Sequence, residues 1–161
     1  MAFRVLDASA FYAGVPFASS GTLHTTSEVH AEVRHIKSSH GAIDALIDAR
    51  RLVVADPSGE ALGAARAAAR SAGESGALSR ADMSVIALCS ELRGELVTDD
   101  YAVSNVAKRM GLAVVPVMTR GTRGTRGTRR WVRRCSACSR AMGTEPACRV
   151  CGGAASRRPA R

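Results

Sequence analysis

Short apolar runs that end in acids or turn residues set the rhythm of the first 118 residues. Phe3-Arg4-Val5-Leu6 runs into Asp7, Leu52-Val53-Val54-Ala55 into Asp56, and Glu95-Leu96-Val97-Thr98 into Asp99 and Asp100. A fourth run, Leu112 to Val117, follows Gly111. Runs this short, bounded by turn residues, predict buried strands. Between them the apolar period becomes helical. Ser9 to Gly14 predicts a helix stopped by Gly14-Val15-Pro16, and residues 15–24 read as an exposed loop. Thr25 with Glu28 three positions later has the form of a capping box, opening a helix that carries Val29, Val33 and Ile36. Ile43, Leu46 and Ile47 mark the next helix. Residues 60–72, 80–93 and 101–110 predict three more, the second capped by Ser79. Strand, helices, strand, helices, strand, helix, strand is the order of an α/β layer with a parallel sheet and right-handed crossovers.

At Thr119 this pattern stops. Residues 119–130 repeat Thr-Arg-Gly with no apolar side chain, so they cannot bury a core and predict a flexible basic linker. The chain therefore divides into a first domain (1–118), the linker, a small module (131–155) and a basic, frayed tail (156–161). The module carries Cys135-x-x-Cys138 and Cys148-x-x-Cys151. Each pair forms a tight turn that presents two thiolates. Together they predict a closed, structural four-thiolate Zn²⁺ ribbon that relies on the metal for most of its folding energy. The fifth cysteine, Cys89, lies in an apolar helical pattern and predicts a core residue.

Charge sharpens the division. Residues 1–118 contain 11 Lys/Arg and 13 Asp/Glu, whereas residues 119–161 contain 12 Arg and one acid, Glu145. An acidic working domain joined to a basic segment predicts a polyanionic partner, with nucleic acid the first candidate. Arg129, Arg130, Trp131, Arg133, Arg134, Arg140 and Arg149 are the residues placed to supply phosphate contacts and stacking. No apolar run approaches the roughly 18 residues of a membrane span. The N-terminus enters a strand pattern without a basic region and apolar segment before it, so a cytoplasmic protein is expected.

The acids carry the candidate chemistry. In an open parallel sheet the carboxyl ends of the strands line the ligand crevice. Asp7 and the Asp99-Asp100 pair would stand there, where carboxylates repel one another unless a cation lies between them. Glu28 belongs to the expected capping box, so Glu32, one turn later beside Val29, Val33 and Ile36, is the better functional acid. Asp82 sits three residues after Ser79 and could serve as a cap or at the rim of the site. Oxygen ligands from separated segments suit Mg²⁺ or Mn²⁺. With nucleic acid as partner, the reaction class becomes metal-assisted phosphodiester hydrolysis. Ser9 and Thr98 are placed to orient the acids by hydrogen bonds. The four histidines show no ligand spacing and read as local or solvent-facing.

The order of Val5-Leu6-Asp7-Ala8-Ser9, Thr25 to Val33, Leu78-Ser79-Arg80-Ala81-Asp82, and Val97-Thr98-Asp99-Asp100-Tyr101 with Asn105-Val106-Ala107 resembles the successive motifs of a PIN-domain ribonuclease. With the cysteine ribbon added, the chain is similar to the archaeal and eukaryotic endonucleases that mature the 3′ end of small-subunit ribosomal RNA. The resemblance implies a Rossmann-like parallel sheet and four metal-binding acids at Asp7, Glu32, Asp82 and Asp100, with Asp99 in support. It implies products with a 3′-hydroxyl and a 5′-phosphate. Its substrate would be precursor 16S RNA on the nascent small ribosomal subunit. Two other readings stand beside it: a PIN-type toxin that cuts messenger or transfer RNA, and a non-catalytic zinc-ribbon RNA-binding protein.

Overall fold

The computed structural model of the chain describes residues 3–34, 40–117 and 130–160. The first strand, β1 (Arg4–Leu6), is followed by the helices α1 (Ala8–Tyr12) and α2 (Val15–Ala18), then by β2 (Leu23–Thr25). Helices α3 (Ser27–Val33) and α4 (His40–Asp48) lead to β3 (Leu52–Val54). Helices α5 (Gly59–Ala72) and α6 (Arg80–Leu92) lead to β4 (Glu95–Val97), and α7 (Tyr101–Arg109) leads to β5 (Ala113–Val115). These five strands form one parallel sheet in the order β3-β2-β1-β4-β5. The chain runs outward from β1 in one direction, then returns to add β4 and β5 on its other side. The strand order thus reverses between β1 and β4, the position where open α/β sheets bind ligands.

The core explains why such short strands hold. Val5, Leu6, Leu23, Leu52, Leu96 and Val97 are buried in the sheet, and Val29, Val33, Val85, Ile86, Val103 and Val106 cover it from the helices. Helix α6 lies against β1 and β4 and also meets α3, α5 and α7, making it the hub of the layer. Its burial runs without a break from Ser84 to Cys89, so it presents almost no solvated face. Cys89 is fully buried there, as expected, and burial pushes its thiol up to about 11.

Residues 15–24 are not an exposed loop. Pro16 lies in the first turn of α2, where its missing N–H is not needed, so it starts a short helix instead of ending one. Leu23-His24-Thr25 forms a sheet strand despite its two polar residues. Both are accommodated: the buried Thr25 hydroxyl donates to the Leu6 carbonyl at 3.0 Å, and His24 meets Phe3 edge to face. His24 and His30 are half-buried, so of the two expectations for the histidines, local or solvent-facing, the second does not hold for them. The cap of α3 is Thr26, not Thr25, and its side chain accepts from the Val29 N–H. Glu28 therefore has no box partner and instead accepts a 2.6 Å bond from Arg80.

The second, antiparallel sheet pairs β6 (Trp131–Cys135) with β7 (Ala155–Pro159). The expected frayed tail from residue 156 is thus mostly a strand, because pairing with β6 satisfies its backbone while its arginines remain outside. The Thr-Arg-Gly linker, apart from Arg130, lies outside the described residues. No helix of the described residues is long and apolar enough to cross a membrane.

Candidate active site

The site is assembled at the reversal of strand order. Asp7 follows β1, and its N–H donates to the Val97 carbonyl on β4, which fixes the two strand ends side by side. Its side chain is only 3% exposed. The carboxylate accepts from the Ala8 N–H at 2.7 Å, from the Thr98 hydroxyl at 2.7 Å and from the Ser9 hydroxyl at 3.3 Å. The first of these caps α1. Asp7 thus caps α1 and at the same time stands at the rim between β1 and β4.

Thr98 and Ser9 extend this network to the paired acids. The Asp100 N–H donates to Thr98 Oγ1 at 3.0 Å, and the Asp99 N–H donates to Ser9 Oγ at 3.2 Å. The two carboxylates then diverge. One oxygen of Asp100 caps α7 through the Val103 N–H, whereas Asp99 accepts from the Val117 N–H and ties the loop to the end of the sheet. Both side chains are exposed. Alternation after β4 thus separates their roles.

Asp82 forms a complete capping box with Ser79: it accepts from the Ser79 N–H at 2.7 Å while its own N–H donates to Ser79 Oγ. It is nevertheless close enough to the site to act on both other acids. Burial raises the Asp7 carboxyl above its ordinary range, against the hydrogen bonds from Thr98 and Ala8, and the Asp82 charge raises it further. Glu32 is raised by desolvation first, then by Asp82 and by Asp7. Glu32 is exposed, not held on the apolar side of its helix. It reaches the acids because α3 packs on α6, where Thr26 and Ser84 hydroxyls meet at 2.6 Å. Asp7 and Glu32 are thus both raised, each in part by the Asp82 charge, and among the described residues no ion pair involves Asp7, Glu32, Asp82 or Asp100. A buried carboxylate with two like-charged neighbours and no cationic side chain suits a hard divalent cation.

The cysteines are brought together more tightly. The ligand atoms of Cys135, Cys138, Cys148 and Cys151 all lie within 4.8 Å of one another. The Cys135–Cys151 and Cys138–Cys148 sulfur distances are 3.4 and 3.7 Å. Zn–S bonds of about 2.3 Å in a tetrahedron require edges of about 3.8 Å, so the set fits zinc. The knuckle geometry is already present. N–H groups of Cys138 and Ala137 lower the Cys135 thiol to about 6, and those of Val150 and Cys151 lower Cys148. A Cβ on Gly153 would come within 2.7 Å of Cys135 Sγ, so only glycine leaves room for the cluster.

Of the arginines expected to contact RNA, Arg130, Arg133, Arg134, Arg140 and Arg149 are exposed. Arg133 donates to the Glu145 carbonyl, Arg134 to the Ser139 carbonyl, and Arg149 pairs with Glu145 at 3.4 Å. Arg129 lies outside the described residues. Trp131 is half-buried against the first sheet's helices. Two residues with no sequence signal complete this seam. Glu74, in the break between α5 and α6, is 1% exposed and accepts from Arg157 at 2.6 Å and from Asn105 at 2.9 Å. A lone acid among glycines and a lone arginine in a basic tail give no hint of each other.

The parallel sheet and its acidic rim define a nuclease layer, and comparison with known proteins agrees. Residues 5–92 match the family described as the PIN domain of ribonuclease. The chain belongs to that family and is an endoribonuclease. It is 43% identical over 122 residues to "Ribonuclease VapC3" of Aeropyrum pernix, covering 73% of this chain and 87% of that protein. It is 35% identical to "Endoribonuclease Nob1" of Pyrococcus abyssi, covering 91% of this chain and 86% of that one. The protein of the same name in Methanothermobacter thermautotrophicus is 34% identical, covering 92% and 88%.

Proposed function

We propose that this endoribonuclease is divalent-metal-dependent and processes the 3′ end of precursor 16S ribosomal RNA on the nascent small subunit, in the cytoplasm. The observation that carries this reading is the docking of a four-cysteine ribbon beside the acidic rim. The ribbon's exposed arginines would bring a second RNA-contacting surface to the active site, as recognition of one particular RNA requires. The relatives named Nob1 support it, since alignment over 91% and 92% of the chain cannot be confined to the first sheet and its helices.

Asp7, Glu32, Asp82 and Asp100 would hold Mg²⁺ or Mn²⁺, with Asp99 at the margin, and zinc would occupy the cysteines as a structural ion. An ion held there would lower the pKa of a bound water and offset charge on the phosphate. The chain supplies the rest. Thr98 and Ser9 fix the orientation of the Asp7 carboxylate. The capping bonds of Asp82 and Asp100 fix each of those side chains through one oxygen. The exposed arginines of the ribbon hold RNA phosphates.

The 43% identity to a protein named Ribonuclease VapC3 favours a second reading, a PIN ribonuclease that cuts other RNAs. Incubating the full chain with Mg²⁺ or Mn²⁺ and an RNA spanning the 16S 3′ end separates them. The first reading expects one metal-dependent cut that Asp7→Asn abolishes. Cuts scattered over unrelated RNAs would favour the second, and no metal-dependent cut would overturn both.

A further inference from the structure

The ribbon is held to the nuclease layer through a buried charge. Glu74 would be an unpaired carboxylate in the interior if Arg157 were withdrawn, a state that is strongly disfavoured. Among the described residues, only the Asn105 side chain would then hydrogen-bond it. Arg157 also donates to the Gly73 carbonyl, and its guanidinium lies 5.2 Å from the centre of the Trp131 ring. Gly73 has φ +73°, and a Cβ there would lie 2.1 Å from the Trp131 carbonyl oxygen, so the backbones touch at this point. The clamp therefore fixes Trp131 in one place.

That place is beside Tyr101, the residue that follows Asp100. The two rings meet edge to face with centroids 6.4 Å apart and planes at 79°. An edge-to-face contact leaves at least one face of the tyrosine ring uncovered by the tryptophan, and Tyr101 is 38% exposed. A hollow of 260 Å³ opens here, lined by Asp100, Tyr101, Trp131, Arg157 and Glu74. It is too small for most drug-sized ligands, which take about 300–1,000 Å³. It combines aromatic rings and a cation with a metal-site acid at its edge. The Trp131 Nε1 is itself buried, with no hydrogen-bond partner among the described residues.

We propose that Tyr101 and Trp131, locked together by the Glu74–Arg157 clamp, form a nucleobase-binding step at the Asp100 edge of the active site. One unpaired base of single-stranded RNA stacks there, and the ribbon thereby takes part in positioning the strand for cleavage. This rests on the endoribonuclease reading of the acidic site and adds a base contact to it. A stacked base is recognised through its π-face, so the step selects single-stranded over paired RNA without selecting sequence.

Trp131 is the only tryptophan in the chain, so its fluorescence reports this position alone. The test titrates the full-length Asp7→Asn chain, which does not cut, with hexa-adenylate RNA and with an abasic strand of equal length, without added Mg²⁺ or Mn²⁺. Hexa-adenylate is expected to quench Trp131, and the abasic strand to bind without quenching. Adding Tyr101→Ala should weaken hexa-adenylate binding about tenfold and leave the abasic strand unchanged. Tyr101→Phe should restore wild-type binding. Absence of quenching, equal quenching by the abasic strand, or an unchanged Kd in Tyr101→Ala would each overturn the proposal. None of these readouts requires cleavage. Failure of the 16S assay would thus leave this result standing, and failure here would leave that assay intact.

Discussion

The Thr98 hydroxyl donates to the Asp7 carboxylate at 2.7 Å across 91 positions of sequence. The same oxygen accepts the Asp100 N–H at 3.0 Å. A single side chain, 2% exposed, thus links the ends of β1 and β4 where the strand order reverses. It orients one proposed metal ligand by its side chain and another by its backbone.

Replacing Thr98 with Val keeps the shape and removes both bonds. The Asp100 N–H and one Asp7 oxygen lose a buried partner, which costs about 1–3 kcal/mol of stability. Cleavage should fall by about 10- to 100-fold, as for other residues that orient metal ligands. Thr98→Ser should keep most activity. Urea midpoints and initial rates on the 16S substrate check both, and a Thr98→Val chain of normal activity would remove Thr98 from the site.

The acids predict an unusual dependence on pH. Burial and Asp82 raise Asp7 above its ordinary 3.8, and Glu32 is raised in the same direction. For a raised carboxyl the folded chain holds its proton more tightly than the unfolded chain does. The stability this gives is fully present below the unfolded value and is lost as pH rises through the folded value. Without added divalent metal, Asp7→Asn should therefore gain on the wild type as pH rises from about 4 to 7, because asparagine stays neutral. Added Mg²⁺ should narrow that gap by stabilising only the wild type. Denaturation midpoints across this range test it, and a gap independent of pH would contradict it.

How far these relationships were legible in the sequence follows from how local they are. The cysteine spacing is local, and so was its meaning. The positions of Asp7, Asp99 and Asp100 were legible because strand ends in a parallel sheet share one rim. Asp82 looked ambiguous because it has two roles: its box with Ser79 is local, while its effect on Asp7 and Glu32 depends on how α6 packs. Leu23-His24-Thr25 gave no strand signal because its polar residues are accommodated only through partners distant in sequence: Thr25 donates to the Leu6 carbonyl, and the His24 ring packs edge to face with Phe3. Glu74 and Arg157, 83 positions apart, carried no signal because each looks solvated until the other is present.

Two adjacent glycines in the ribbon should behave differently. At Gly153 an added Cβ would crowd Cys135 Sγ at 2.7 Å and Ala137 at 3.1 Å. At Gly152 nothing lies within 4 Å, and only its φ of +71° disfavours a side chain. Gly152→Ala should therefore keep about one zinc per chain at a cost of roughly 1 kcal/mol. Gly153→Ala should lose the metal. Elemental analysis of the purified chains decides between them, and equal zinc in both would show that the cluster tolerates a methyl group at Gly153.

Glu28 and Glu32 stand on one helix, one turn apart, and the sequence could separate them only through a cap that the structure places elsewhere. Their surroundings now separate them. Glu28 accepts from Arg80 in an exposed pair, whose side chains are 86% and 40% accessible, and such pairs contribute about 0–1 kcal/mol. Glu32 has no ion pair among the described residues and is raised by Asp82 and Asp7 as well as by desolvation. Glu28→Gln should thus change cleavage by no more than about twofold, a difference of a few tenths of a kcal/mol. Glu32→Gln should lower it by about 100-fold or more, the scale expected when a group that organises transition-state charge is removed. It should do so without loss of stability, because it relieves repulsion that the folded chain bears without a cation. Single-turnover rates for the two variants, with melting curves alongside, make the comparison. A Glu28→Gln defect as large as that of Glu32→Gln would move the metal-binding acid of α3 back to the first turn.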